Sequence, residues 1–175
     1  MEFIIRELRG DDDNKQFLEL QRRFLAKMDT YESGFSKNML LDSVYDSDEE
    51  EPCFIAISEG KMVAYAKLSY EEEYYDDKKT ILILDIFVLK EYQKYGIGSL
   101  LVKKIKEYSL GRNINFIGAA VMPGNMQARQ FFKKLGFDEY GRQQFVMPLW
   151  MQRPFVSKTN GLCVSSATIF LFWFI

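Results

Sequence analysis

QKYGIGSLLVKKIKEYSLG, residues Gln93–Gly111, is the stretch on which the reading of the whole chain turns. A β-rich apolar run, Thr80–Leu89, leads into Gln93-Lys94-Tyr95-Gly96-Ile97-Gly98. Helical periodicity follows at once: Ile97, Leu101, Ile105 and Tyr108 recur at steps of three and four. Lys103, Lys106 and Glu107 fall on the other side, and Gly111 supplies a stop. Strand, glycine turn and helix in this order build an anion site. Unpaired N–H groups at a helix start point outward, and the dipole favours negative charge there. Two glycines let a phosphate approach the backbone with no Cβ in the way. The stretch therefore predicts a phosphate or pyrophosphate held beside Tyr95, Gly96, Ile97, Gly98 and Ser99, with Lys94 as an adjoining cation.

The Walker pattern is absent, and the dinucleotide fingerprint fails at its third glycine, where Leu101 stands. By itself a G-x-G is equally a tight turn before a helix. A second segment adds specificity. Asn125-Met-Gln-Ala128-Arg-Gln-Phe131-Phe132-Lys-Lys-Leu-Gly136-Phe137 lies about thirty residues beyond the Q-x-x-G-x-G opening. The pair resembles the acetyl-CoA-binding motifs of the GNAT superfamily of N-acetyltransferases. The resemblance runs from Pro52 to Trp150 and is strongest from Asp85 to Phe137.

A chain of 175 residues is long enough for one domain with a sizeable core. Its net charge of −2 gives no global attraction to nucleic acid or to an anionic membrane. It has no histidine, which excludes Ser-His-Asp and Cys-His nucleophilic sites and histidine-bearing zinc sites. Cys53 and Cys163 lack metal-ligand spacing, so no metal is expected. Cys53, in an apolar run, reads as a small buried hydrophobe. The start, MEFIIREL, is not a signal peptide, and a reducing, cytoplasmic setting is inferred.

Taken in order, a strand around Phe3 and Ile5 ends near Gly10. Asp11–Asp13 cap a helix with Phe17, Leu20, Phe24 and Met28 on one face. A second helix is predicted from Ser36 through Met39, Leu40 and Val44. After an acidic loop, Asp46–Glu51, Cys53–Ile57 and Met62–Tyr70 form a hairpin about Glu59-Gly60. Another acidic loop, Glu71–Asp77, precedes the strand Thr80–Val88. Beyond the glycine turn and its helix come a buried strand, Phe116–Val121, and a helix capped by Asn125 and ended by Gly136. Phe137–Tyr140 and Gln144–Trp150 close the order as a strand pair around Gly141-Arg142. The order β-α-α-β-β-β-α-β-α-β-β predicts a mixed α/β (α+β) fold with helices on both faces of one sheet. It is also the order of the GNAT fold, whose central mixed sheet has splayed fourth and fifth strands.

Residues 1–152 are read as that domain and 153–175 as an apolar extension of unassigned role. Its core, LCVSSATIFLFWFI, carries no charge. At 1.5 Å per residue its helix would span about 21 Å, short of a bilayer core of about 30 Å. An added strand, a helix packed on a neighbouring surface or between two copies, residues foreign to the domain, and a membrane-associated tail all stay open.

The resemblance implies transfer of an acetyl group from acetyl-CoA to a primary amine by direct attack in a ternary complex. It places the pyrophosphate on the turn Gln93–Ser99 and the pantetheine arm along the strand edge Ile86, Phe87 and Val88. An N–H near Val88 would steady the developing oxyanion. Asn125 is carried over as a contact on the CoA side, and by spacing it is also an N-cap. Two positions depart from the family pattern. Many members carry a glutamate where this chain has Leu84, and a tyrosine where it has Phe132. Phe132 has no proton to give but is able to pack on the pantetheine. Asp85 and Glu91 are the candidate bases, although alternation sets Asp85 on the face opposite to Leu84. Tyr140 is the candidate acid. The two acidic runs and Tyr31, Tyr70, Tyr74 and Tyr75 suit a cationic acceptor, such as a polyamine, an aminoglycoside-like amine or a basic peptide. The two departures also leave a second reading, a non-catalytic CoA-binding module of the same fold.

Overall fold

A computed structural model describes residues 2–28, 52–75, 78–121, 124–140 and 144–149. Its elements are β1 (Ile4–Glu7), α1 (Gly10–Met28), β2 (Cys53–Ser58), β3 (Lys61–Tyr75) and β4 (Lys78–Val88). A 3-10 turn (Lys90–Tyr92) follows, then α2 (Ile97–Leu110), β5 (Phe116–Ala120), α3 (Met126–Lys134), β6 (Asp138–Tyr140) and β7 (Gln144–Pro148). The strands form one seven-stranded sheet in the order β1-β2-β3-β4-β5-β7-β6. Among the described residues only β4 and β5 pair in parallel. The mixed sheet and its element order match the reading of the sequence. The helix expected from Ser36, the acidic run Asp46–Glu51 and the apolar tail lie outside the described residues.

The hairpin between β2 and β3 turns at Glu59 and Gly60, with φ of 51° and 75°. Two successive left-handed residues are what a two-residue hairpin of this twist requires. The second hairpin corrects the sequence reading. Glu71–Asp77 was expected to be a loop, yet β3 runs to Tyr75 and pairs there with Lys78. Charge had suggested a loop, but Tyr70, Tyr74 and Tyr75 favour extended backbone. Gly111 is also not the left-handed stop it resembled: its φ is −66°, and Asn113, at 55°, is the left-handed residue beyond α2.

The decisive irregularity lies between β3 and β4. Lys67 pairs with Asp85, but the next residue, Leu68, pairs with Ile83, so Leu84 is an extra residue in β4. Such a bulge bends its strand and breaks the ladder locally. The parallel pairing of β4 with β5 ends at Ile83 and Ala119, while β4 continues to Val88. The fourth and fifth strands therefore splay from the bulge onward.

Register assigns the faces. Tyr65 and Lys67 share a face with their partners Phe87 and Asp85. Rings of α1 cover that face: Phe17 and Phe24 lie 5.0 and 6.4 Å from Tyr65, and Phe24 lies 5.7 Å from Phe87. On the opposite face, Phe54 meets Tyr108 of α2 at 5.3 Å. Helix α3 sets Phe132 against Phe145, whose row runs through Ala119 to Ile83, the face that α2 covers. Leu82 pairs with Ser69, so Leu82 and Asp85 share a face although they are three residues apart. The alternation that set Asp85 opposite to Leu84 thus fails at the bulge.

One ion pair ties the first strand to α1. The Arg6 guanidinium donates to both carboxylate oxygens of Asp13, at 2.5 and 2.8 Å, and the Arg9 N–H donates to the same carboxylate at 2.8 Å. These donors hold the Asp13 carboxyl below its ordinary pKa. Such a group stabilises the fold above its unfolded value of about 4, and the contribution fades as pH falls toward the depressed folded value. Asp13→Asn should therefore cost about 1–3 kcal/mol at pH 7. In urea denaturation, the difference from wild type should shrink as pH falls below about 4.

Candidate functional site

The backbone leaves β4 through a chain of short bonds. The Leu89 N–H donates to Val63 O at 3.0 Å and the Tyr92 N–H to Leu89 O at 2.8 Å. The Gln93 side-chain amide donates to Val88 O at 3.1 Å. Gln93, expected at the anion, thus binds the strand end and fixes the turn. Lys94 and Gly96 then adopt φ of 67° and 82°, which reverses the chain into α2. A Cβ at Gly96 would meet nothing within 4 Å, so conformation rather than space calls for glycine there.

No side chain caps α2. The first bond into the helix start is from Leu100 N–H to Gly96 O, 3.0 Å. Among the described residues the N–H groups of Ile97, Gly98 and Ser99 have no acceptor. Three unpaired donors at the positive end of a helix dipole form an anion cradle. Lys94, Tyr95 and Ser99 are exposed beside it, while the Ile97 side chain is buried and anchors the turn.

The open edge of β4 adjoins this cradle. Backbone groups alternate in direction along an antiparallel ladder. Because Leu89 bonds to β3, Phe87 also turns toward β3, and Ile86 and Val88 turn to the gap left by β5. The Val88 carbonyl is taken by Gln93, and its N–H faces the gap. Of the three residues expected to present backbone there, Ile86 and Val88 do so; Phe87 does not.

Asn125 caps α3: its Oδ1 accepts from the Ala128 N–H at 3.0 Å. Its Nδ2, although buried, has no partner among the described residues. The cap explains the acceptor atom and leaves the donor for a bound group. Gly136, with φ of 87°, ends the helix, and Phe137 N–H returns to Phe132 O at 3.1 Å. Phe132 was expected against the ligand. Its ring instead packs on Phe131, Phe137 and Phe145 at 5.2, 5.0 and 5.9 Å and is 3% exposed. It belongs to the core beneath the cleft.

The candidate bases separate clearly. Glu91 is exposed on the 3-10 turn. Asp85 is half-buried on the α1 face, directly across from Lys67. Burial pushes its carboxyl up to about 7, against the opposing pull of the Lys67 charge. A carboxyl that titrates near neutrality suits proton transfer. Cys53 completes the row beside Lys67; burial pushes its thiol far up, which leaves it inert. Tyr140 lies in β6, and its side chain is outside the described residues.

Neither Tyr65 nor Lys67 stood out in the sequence. A signal was present: Lys67 interrupts the apolar run Met62–Leu68, and Asp85 interrupts Ile81–Val88. One cation and one anion, each alone in a buried strand of the same hairpin, call for each other across the ladder.

A curated relative, thialysine N-epsilon-acetyltransferase from Bos taurus, is 36% identical over 58 residues. That alignment covers 33% of this chain and 34% of the relative, so the chain matches about a third of that protein's length. A GNAT-family acetyltransferase structure from Staphylococcus aureus Mu50 superposes with a TM-score of 0.68 at 16% identity, covering 85% of this chain and 99% of that one. AAC(6')-Iy, solved with a CoA-containing bisubstrate analogue, gives 0.64 at 17% identity, covering 92% and 100%. At such identities these likenesses speak for the fold. The sequence model described as "Acetyltransferase (GNAT) family" matches residues 14–137, which hold the bulged strand, the uncapped turn and the Asn125 helix. On that match, the chain belongs to the GNAT family of acetyltransferases.

Proposed function

We propose that the chain transfers the acetyl group of acetyl-CoA to a primary amine of a small cationic molecule or peptide, by direct attack within a ternary complex. The observation that carries this reading is the uncapped start of α2 standing beside the open edge of β4. The amides of Ile97, Gly98 and Ser99 take the pyrophosphate, with Lys94 alongside. Ile86 and Val88 offer the peptide-like pantetheine an edge to pair with, as an added strand would. Asn125 Nδ2 supplies a further donor on the CoA side. Val88 N–H is the donor nearest the reacting carbonyl and steadies its oxygen as the tetrahedral intermediate forms.

A lysine-like amine, with a pKa of about 10.4, arrives protonated. Asp85 takes that proton, the neutral amine nitrogen attacks the thioester carbon, and the carbon–sulfur bond breaks as the nitrogen gives its second proton to water, which passes one on to the leaving sulfur. The thiolate, with a pKa of about 8.5, leaves without a tyrosine donor and is protonated by water. Asp85 is preferred to Glu91 because it is half-buried and titrates near neutrality. It also lies on the α1 face of the splayed strand, while the α2 start serves the donor. The likeness to thialysine N-epsilon-acetyltransferase over 58 residues supports a basic amine as acceptor.

The departures at Leu84 and Phe132 favour one rival, a CoA-binding module without turnover. A panel of spermidine, thialysine, lysine, an aminoglycoside and a basic peptide separates the two. Thiol release from acetyl-CoA with at least one amine is expected; binding of acetyl-CoA with release by none would establish the module. Where turnover is seen, kcat/KM should fall as pH drops through about 7, because Asp85 becomes protonated. Asp85→Asn should lower kcat/KM by about 100-fold or more and flatten that limb. An unchanged limb in the variant would remove Asp85 from the mechanism. Asn125→Asp keeps the cap acceptor while replacing the Nδ2 donor with a carboxylate. Calorimetry should show acetyl-CoA bound at least about tenfold more weakly, a loss of about 1.4 kcal/mol.

A further inference from the structure

On α1 and on the strand it covers, two buried polar atoms have no hydrogen-bond partner among the described residues. They are Tyr65 Oη and Gln21 Oε1, on residues 0% and 2% exposed. Tyr65 precedes Lys67 by two residues on β3 and shares its face, so the hydroxyl sits beside the row Cys53–Lys67–Asp85. The burial that raises the Tyr65 pKa is reinforced by the charge of Asp85, which places hydroxyl and carboxyl within electrostatic reach.

Gln21 belongs to the helix whose rings cover this part of the sheet. Gln16 and Gln21 are five residues apart, about 140° around the axis, and so lie on opposite flanks of the sheet-facing stripe. Gln16 Oε1 accepts from the Met62 N–H at 2.8 Å, at the hairpin-turn end of β3. Gln21, 2% exposed, lies on the other flank, away from that hairpin-turn contact. Phe17 and Phe24, a turn to either side of Gln21, both pack on Tyr65.

We propose that Tyr65 and Gln21 are positioning residues for Asp85 and act through one internal water held between them. The hydrogen bonds balance. The Tyr65 O–H donates to the water oxygen, and the two water hydrogens go to Gln21 Oε1 and an Asp85 carboxylate oxygen. Three bonds, two of them to atoms otherwise unpaired among the described residues, are the ordinary complement of a buried water. The bond to Asp85 favours its charged form and opposes the effect of burial. Other groups facing the carboxyl among the described residues are Lys67 of β3 and Cys53 of β2. From α1, Glu19 and Arg23 pair with each other on the exposed side. The proposal rests on Asp85 as the base, yet the water site is testable without turnover.

The test is a carbon-13 NMR titration of the side-chain carboxyls of the full chain, with the Asp85 signal assigned by its loss in Asp85→Asn. Tyr65→Phe keeps the ring packing, and Gln21→Met keeps the volume. Each should raise the Asp85 midpoint by about half a unit to one unit. The double variant should add little, because the two residues hold the same water. Unmoved midpoints, or two fully additive shifts, overturn the proposal. So does a change confined to thermal stability. Turnover with spermidine on the same variants keeps the two ideas apart. If the midpoints move but the acidic limb does not, Asp85 is not the base. If Asp85→Asn removes the limb but the midpoints are fixed, only the water site is wrong.

Discussion

One unpaired residue in β4 sets the geometry of the cleft. Because Leu84 has no partner in β3, the strand bends and loses β5 at the same level. The backbone of Ile86 and Val88 then has an open side that a regular ladder would have consumed. The same bulge breaks alternation, so that Asp85 shares the α1 face with Leu82, three residues before it. Donor edge and candidate base thus follow from a single register shift. A side chain at position 84 matters less than its being extra, and a leucine fills the place with no demand for a polar partner.

The surroundings make that irregularity tolerable. Rings from α1 cover one face with Phe17, Phe24, Tyr65 and Phe87, and α2 and α3 cover the other. An isolated carboxylate in such a layer would be costly, and Lys67 across the ladder offsets part of that cost. The compromise leaves Asp85 titrating near neutrality, where a stronger pair would have fixed its charge. At the strand end, Gln93 satisfies the Val88 carbonyl and leaves the amides of the following helix start unbonded. The sequence therefore meets the polar requirements of the strand and withholds them from the turn.

Much of this was legible from residue order. The positive φ at Gly96 and the stop at Gly136 follow from glycine in a strand–turn–helix and at a helix end. The Asn125 cap follows from its place before Met126–Lys134. The bulge was not legible, because Ile81–Leu84 is uniformly apolar and any register buries it. With the register hidden, alternation alone did not reveal that Asp85 shares a face with Leu82, and Phe132 was placed at the ligand. Its burial depends on Phe137, just before β6, and on Phe145 of β7, a contact that local spacing does not encode. The stretch Glu71–Tyr75 misled for a different reason: charge speaks for exposure, and a hairpin arm is able to be exposed and still be strand.

The account stands or falls on the α2 amides as the anion cradle. Thermal unfolding of the full chain with acetyl-CoA, compared with Ser99→Asp, tests this most directly. The exposed position 99 tolerates the change, and aspartate in a first helical turn is itself favourable, so the variant should fold at least as well. At about a hundred times its Kd, acetyl-CoA should add about 2.7 kcal/mol of apparent stability to the wild type. The same concentration should give the variant little or none. No shift in the wild type, or an equal shift in both, would contradict the account.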